Sequence, residues 1–124
     1  MSYAWDVFRV AYTNPPKTKL IVIVCEDLVC DEVQCIGFPI NSRIRPYVSN
    51  RPDLLRCQVT LREADYGFLH YDSYLDCAHT RRFSTDELVV CVGQVTDEDK
   101  AQVRSVIAQA TTIEPRYKDL ILSD

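Results

Sequence analysis

Short apolar runs separated by polar breaks fill most of the chain, which is the pattern of β-strands. The aromatic and β-branched run Trp5–Tyr12 predicts a first strand, and Thr13-Asn14-Pro15-Pro16 then predicts a loop. The run Leu20–Cys25 has no polar face, so it predicts a central strand buried on both sides that ends at Glu26-Asp27. Further strands are predicted at 33–40, 54–61, 68–71, 75–80 and 88–95, with a loop at 41–53, a turn at 65–67 and a possible bulge at Gly93.

The hydrophobic period changes from strand to helix after residue 95. Thr96 followed by Asp99 is typical of a helix N-terminus, because the threonine caps the backbone and acids favour that end of a helix. The apolar positions Val103, Val106, Ile107 and Ala110 then share one helical face. This helix is predicted to end near Ala110, and Pro115–Leu122 to add a short helical piece. The pattern predicts a mainly β protein, a small curled antiparallel sheet with a C-terminal helix closing one side.

The length of 124 residues fits a single domain spanning 1–124. No apolar stretch approaches the roughly 20 residues that a membrane-spanning helix needs. Trp5, Asp6 and Arg9 interrupt the N-terminal segment, which does not resemble a signal peptide. We therefore expect a cytoplasmic protein. The six cysteines lack paired CxxC spacing and mostly lie in apolar runs, which favours free buried thiols over disulfides or zinc ligation.

The net charge of −4 disfavours bulk binding of nucleic acid, but the charges are segregated along the chain. Acids concentrate at 26–32 and 86–99. The middle of the chain is basic and forms the candidate anion-binding surface, with Arg43, Arg45, Arg51, Arg56 and Arg62.

Five segments, taken in order, carry a family resemblance that covers about residues 5–113. The ordered segments are Trp5–Val10 as an opening strand, Lys17–Val24 as a basic loop and aliphatic strand, Pro39-Ile40-Asn41-Ser42 as a strand end, Gly67–Asp72 as a strand carrying polar catalytic residues, and Gly93-Gln94-Val95 before an acid-capped helix. Together they resemble the MazF/PemK endoribonuclease toxins of type II toxin–antitoxin systems, which share a fold with the gyrase poison CcdB. The resemblance implies a small SH3-like or CcdB-like antiparallel β-barrel.

The resemblance also implies an activity, which is metal-independent cleavage of single-stranded RNA without a cofactor. The RNA's own 2′-hydroxyl would attack the adjacent phosphate, so the enzyme must remove one proton, stabilise charge on phosphorus and return a proton to the leaving oxygen. The family acts as homodimers. A cognate antitoxin neutralises them by laying a disordered acidic tail over the basic RNA groove, for which the arginine-rich stretch here is suited.

The resemblance places the catalytic residues at His70, Asp72 and Ser42. Histidine is a residue type that can act as base or acid, although some family members carry an arginine at the position of His70. Asp72, two residues on, is expected to share a strand face with His70 and to orient it. Asn41 and Ser42 match a Thr-Ser pair that would contact phosphate, and otherwise they cap a turn.

Four basic residues complete the predicted phosphate-binding set: Lys17, Lys19, Arg43 and Arg45. The same residues are also consistent with a solvated basic surface. His79, Arg81 and Arg82 have no family counterpart and are interpreted as surface residues. Tyrosines 47, 66, 71 and 74 are suited to stacking on bases, but in small sheets they more often pack in the core.

The departures from the family pattern leave two alternatives open. A toxin-like fold without catalytic activity would act as a protein-binding module. An unrelated small barrel would use only its surface for protein contacts, and it would lack a groove between His70, Ser42 and Arg43.

Overall fold

The structure is a computed structural model that describes residues 3–13 and 16–123. Besides two short 3-10 helices at Glu63–Asp65 and Thr85–Glu87, the described residues form seven strands and four α-helices. They are β1 (Asp6–Thr13), β2 (Pro16–Val29), β3 (Glu32–Asn41), α1 (Pro46–Ser49), α2 (Pro52–Leu55), β4 (Gln58–Leu61), β5 (Ser73–Asp76), β6 (Arg81–Ser84), β7 (Val90–Gln94), α3 (Asp97–Gln109) and α4 (Pro115–Leu122).

All strand pairs are antiparallel, and the strand order is β4-β5-β3-β2-β1-β7. The outer edge of β3 is shared, since its residues 34–37 pair with β6 and its last residues, Ile40 and Asn41, pair with β5. Bulges interrupt the β2–β3 ladder near Val24 and the β1–β7 ladder beside Gly93, and bulges increase local twist. The sheet is therefore curled into a half-barrel, as the sequence predicted.

The central strand is buried on both faces because apolar groups cover each side of it. Val22 and Val24 belong to the larger core, which α3 and α4 close through residues such as Val103 and Ile121. Ile21 and Ile23 face a smaller core on the opposite side of the sheet. Its remaining members are Phe8, Val10, Cys35, Phe83 and Leu88. The prediction of a doubly buried central strand is confirmed.

Helix α3 begins where the sequence predicted. The Thr96 hydroxyl oxygen accepts a hydrogen bond from the Asp99 amide at 3.2 Å. The Asp99 carboxylate does not return to the cap but accepts a hydrogen bond from the Tyr66 hydroxyl. Pro115–Leu122 is helical as predicted. No helix among the described residues is long and apolar enough to cross a membrane.

Several predicted boundaries are wrong. Strand β2 continues past Glu26-Asp27 to Val29, because β3 pairs with it as far as Glu32. The segment predicted as a loop at 41–53 contains α1 and the start of α2, each of which has proline in its first turn. The segment predicted as a strand at 75–80 belongs to β5 only up to Asp76. The predicted loop after β1 falls largely on Asn14 and Pro15, which lie outside the described residues.

The cysteines behave largely as small apolar residues. Cys25, Cys35, Cys57 and Cys77 are buried, whereas Cys30 and Cys91 are exposed, and all are free thiols. Burial raises the pKa of Cys25 to about 12 and that of Cys35 to about 11. These buried thiols therefore stay neutral and contribute to the core through packing.

Candidate functional site

A cavity of about 570 Å³ opens where β2 begins and β3 ends. We call it the first cavity. Of the predicted site residues, all except Asp72 line it. They are Lys17, Lys19, Asn41, Ser42, Arg43, Arg45 and His70. Residues far apart in the sequence thus meet at one surface.

Antiparallel pairing explains why the lysines and the Asn-Ser pair meet. Because β2 and β3 run in opposite directions, the start of β2 lies beside the end of β3. Lys19 donates a hydrogen bond from Nζ to the Asn41 Oδ1 atom across this pair. The chain then leaves β3 through Ser42 and Arg43, whose exposed side chains face solvent at the cavity.

His70 lies in the loop between β4 and β5, and this loop is held at both ends. At its start the Tyr66 hydroxyl donates to Asp99 and accepts from the Thr96 amide at 3.2 Å. At its end the Asp72 Oδ1 atom accepts from the Glu63 amide at 2.9 Å. Between them Phe68 packs so close to Gly93 that a Cβ atom there would lie 3.0 Å from its ring. The loop carrying His70 is therefore positioned by α3 and β7.

The predicted strand at residues 68–71 is wrong, and with it the argument that His70 and Asp72 share a strand face. Residues 67–68 form a turn and residues 70–71 a bend, and the adjoining strand begins only at Ser73. Asp72 fixes the loop through Glu63 and is not among the residues that line the first cavity. Strand alternation failed here because a turn followed by a bend replaces the extended backbone that alternation requires.

The charged side chains that line the first cavity are all basic among the residues that the structure describes. No Asp or Glu lines it. Three basic residues elsewhere are neutralised, since Arg51 pairs with Asp53, Lys100 with Asp97 and Arg116 with Asp27. The four basic residues of the first cavity, by contrast, are in no ion pair with a described carboxylate.

The pKa of Lys19 is lowered from its ordinary value of 10.5 by burial and by neighbouring positive charges. Burial is the largest cause, and the positive charges of Lys17, Arg45 and Arg81 add to it. Asp76 acts in the opposite direction, but its effect is the smallest. Lys19 is thus held among like charges, an arrangement that an anion would relieve.

A second cavity of about 340 Å³ adjoins the first, and the two share Lys17, Lys19, Asn41 and Arg45. Tyr12, Tyr47 and Arg81 complete its polar wall, together with Asp76. Arg81 was interpreted from the sequence as a surface residue. It reaches this wall because β6 pairs with β3, with Arg81 opposite Gly37, and no local pattern in the sequence reports that pairing.

The other residues weighed from the sequence have different surroundings. Tyr66 is buried and packs in the core, whereas Tyr71 is exposed and lines the first cavity. Arg82 donates from Nε to the Tyr117 hydroxyl at 2.9 Å and lies 5.6 Å from the centre of that ring, so it joins β6 to α4. His79 is exposed and lines neither cavity.

The sequence matches no family model and no curated protein. The fold, however, is similar to that of the Mycobacterium tuberculosis toxin MazF-mt6, with a TM-score of 0.63 and 14% sequence identity. The superposition covers 88% of this chain and 98% of that toxin. The protein therefore has a MazF/PemK-type fold, mainly β with a curled antiparallel sheet and C-terminal helices.

Proposed function

We propose that this protein is a metal-independent endoribonuclease toxin that cleaves single-stranded RNA through attack of a 2′-hydroxyl on the adjacent phosphate. The observation that carries the proposal is the first cavity, in which His70 and Ser42 stand with four basic residues and no carboxylate. Such a lining suits a phosphate that gains negative charge during reaction. The similarity of the fold to a MazF toxin is consistent with this chemistry.

In the proposed reaction the 2′-oxygen forms a bond to phosphorus and the bond from phosphorus to the 5′-oxygen breaks. The imidazole of His70 takes the 2′-hydroxyl proton, or returns one to the departing 5′-oxygen, since histidine suits both roles. Arg43 and Arg45 hold the non-bridging phosphate oxygens, and Ser42 and Asn41 donate hydrogen bonds to them. The products carry a 2′,3′-cyclic phosphate and a 5′-hydroxyl.

The remaining elements of the proposal concern partners. A cationic cavity without counter-charges is an attractive surface for the acidic tail of a cognate antitoxin. We further propose that the protein works as a homodimer in the cytoplasm, as the resemblance to MazF and PemK implies.

Incubation of the purified protein with an unstructured RNA in EDTA tests the activity. We expect cleavage with a 5′-hydroxyl product end, and none when the target nucleotide is 2′-deoxy. His70→Ala should lose about a hundredfold or more of the rate. His79→Ala is the matched control, because His79 is an exposed histidine that lines neither cavity, and it should keep full activity.

A wild-type protein that cuts no RNA of any sequence would contradict the enzyme proposal. That result would favour the alternative, a non-catalytic module that binds protein through the same surface. Equal losses in His70→Ala and His79→Ala would instead remove His70 from the mechanism.

A further inference from the structure

We propose that the second cavity is a subsite for the nucleotide that follows or precedes the reacting phosphate, with Tyr47 stacking on its base and Arg81 contacting its phosphate. This inference rests on the proposed function. It extends that function from the reacting phosphate to the binding of a neighbouring nucleotide of the RNA strand. The strand would run from His70 across Lys19 and into the second cavity.

Continuity of the two cavities is the first support. They share Lys17, Lys19, Asn41 and Arg45, so the two spaces adjoin along these residues, three of which are basic. A single-stranded nucleic acid follows a positively charged groove with successive phosphates. One cavity alone could bind a single nucleotide, whereas the two together could bind successive nucleotides of one strand.

The charge of the second cavity is the next support. Arg81 and Lys19 both line this cavity, and the positive charge of Arg81 is one of the causes, after burial, that lower the pKa of Lys19. No described carboxylate forms an ion pair with Arg81. Asp76 is the acid of this wall, but its Oδ1 atom already accepts hydrogen bonds from Gln58 Nε2 at 2.9 Å and the Ala78 amide at 3.1 Å. Arg81 is thus available to an incoming phosphate.

Tyr47 provides an aromatic ring on which a base can stack. Tyr47 is 61% exposed, which is the opposite of the packing role that most tyrosines in small sheets have. It lies on α1, a single turn fixed by Pro46 at its start, and so it stands on a held backbone. Stacking on an aromatic ring is independent of base identity and adds affinity for each nucleotide engaged.

Binding of uncleavable 2′-O-methyl RNA at fixed salt tests the subsite, with fluorescence anisotropy as the readout. For an oligonucleotide of about eight residues we expect Arg81→Ala and Tyr47→Ala each to weaken binding roughly tenfold. Tyr47→Phe should retain affinity because the ring remains. Arg9→Ala, an exposed arginine of β1 outside both cavities, is the matched control and should bind as the wild type does.

Oligonucleotide length and salt sharpen the test. Arg81→Ala should bind a dinucleotide as tightly as the wild type does. For the longer strand, the plot of log affinity against log salt concentration should be less steep for Arg81→Ala than for the wild type, by about 0.7. If Arg81→Ala and Tyr47→Ala match Arg9→Ala while Arg43→Ala loses binding, the subsite is overturned and the proposed function stands. If the wild type binds no RNA at all, both proposals fail together.

Discussion

The antiparallel pair of β2 and β3 is basic where β2 begins and acidic where β2 ends. The two ends differ in whether the lysines of one and Asp27 of the other form ion pairs within the protein. At one end Lys17 and Lys19 meet the Asn-Ser pair, without a described carboxylate in any ion pair with them. At the other end Asp27 is only 6% exposed and pairs with Arg116 of α4 at 2.6 Å. At the acidic end the fold neutralises Asp27, whereas the lysines of the basic end have no ion-pair partner among the described residues.

This difference separates stability from function along one pair of strands. Removing one partner of a buried ion pair destabilises the protein, because the charge that remains is still buried and cannot regain its hydration. A charge surrounded by like charges raises the free energy of the folded state and is retained at a cost in stability. We therefore expect substitutions at the basic end to lower activity without lowering stability, and substitutions at the acidic end to lower stability.

The largest expected effect is on activity at the basic end. Lys19→Met removes the cation shared by both cavities and should lower the rate of RNA cleavage by about a hundredfold. The same variant should be at least as stable as the wild type, because Arg45 and Arg81 lose a repelling neighbour. Parallel rate measurements and urea unfolding check both parts. A clear loss of stability together with the lost activity would contradict the comparison.

The next effect is on stability at the acidic end. Arg116→Met leaves Asp27 buried without its partner, and its Oδ2 atom has no hydrogen-bond partner among the described residues. We expect a loss of about 2 kcal/mol in the free energy of unfolding, less than for a fully enclosed pair because Arg116 is 61% exposed. Urea unfolding measures this loss.

Two controls define the ion pair. Arg43→Met, at the exposed basic end, should change stability by less than about 0.5 kcal/mol. Adding Asp27→Asn to Arg116→Met should recover part of the loss, since the stranded charge is gone. Equal effects of Arg43→Met and Arg116→Met would show that the two ends do not differ.

The smallest expected effect is a pH dependence. Because the pKa of Lys19 is lower in the folded state than its ordinary 10.5, its charged form destabilises the fold at neutral pH. Between the lowered value and 10.5 the unfolded chain binds the proton more than the folded one, so this contribution to stability rises with pH. The stability of the wild type relative to Lys19→Met should therefore increase as the pH approaches 10.5.

Unfolding curves of both proteins across this alkaline range measure the change. Buried thiols such as Cys25 act in the reverse direction, because their raised pKa removes stability as the unfolded chain ionises. They are common to both proteins, so the difference between the proteins isolates Lys19. A constant difference across the range would rule out the lowered pKa.

The sequence predicted the elements of the core more accurately than the backbone of the candidate site. The uninterrupted run Leu20–Cys25 predicted the central strand because burial on both faces leaves no polar position. The cap at Thr96 predicted the start of α3 because backbone amides there need an acceptor. The loop of His70 was mistaken for a strand, since a short aromatic segment satisfies either pattern.

The sequence by itself determined strands β1, β2, β3 and β7, the last helices, the segregation of charge and the residue types from which a phosphate site is built. Each of these follows from neighbours along the chain. Only the tertiary structure decided that Arg81 joins the lysines and that Asp72 anchors the loop of His70 without itself lining the first cavity. Those outcomes depend on which strands share an edge, and long-range pairing is fixed by the packing of the whole sheet.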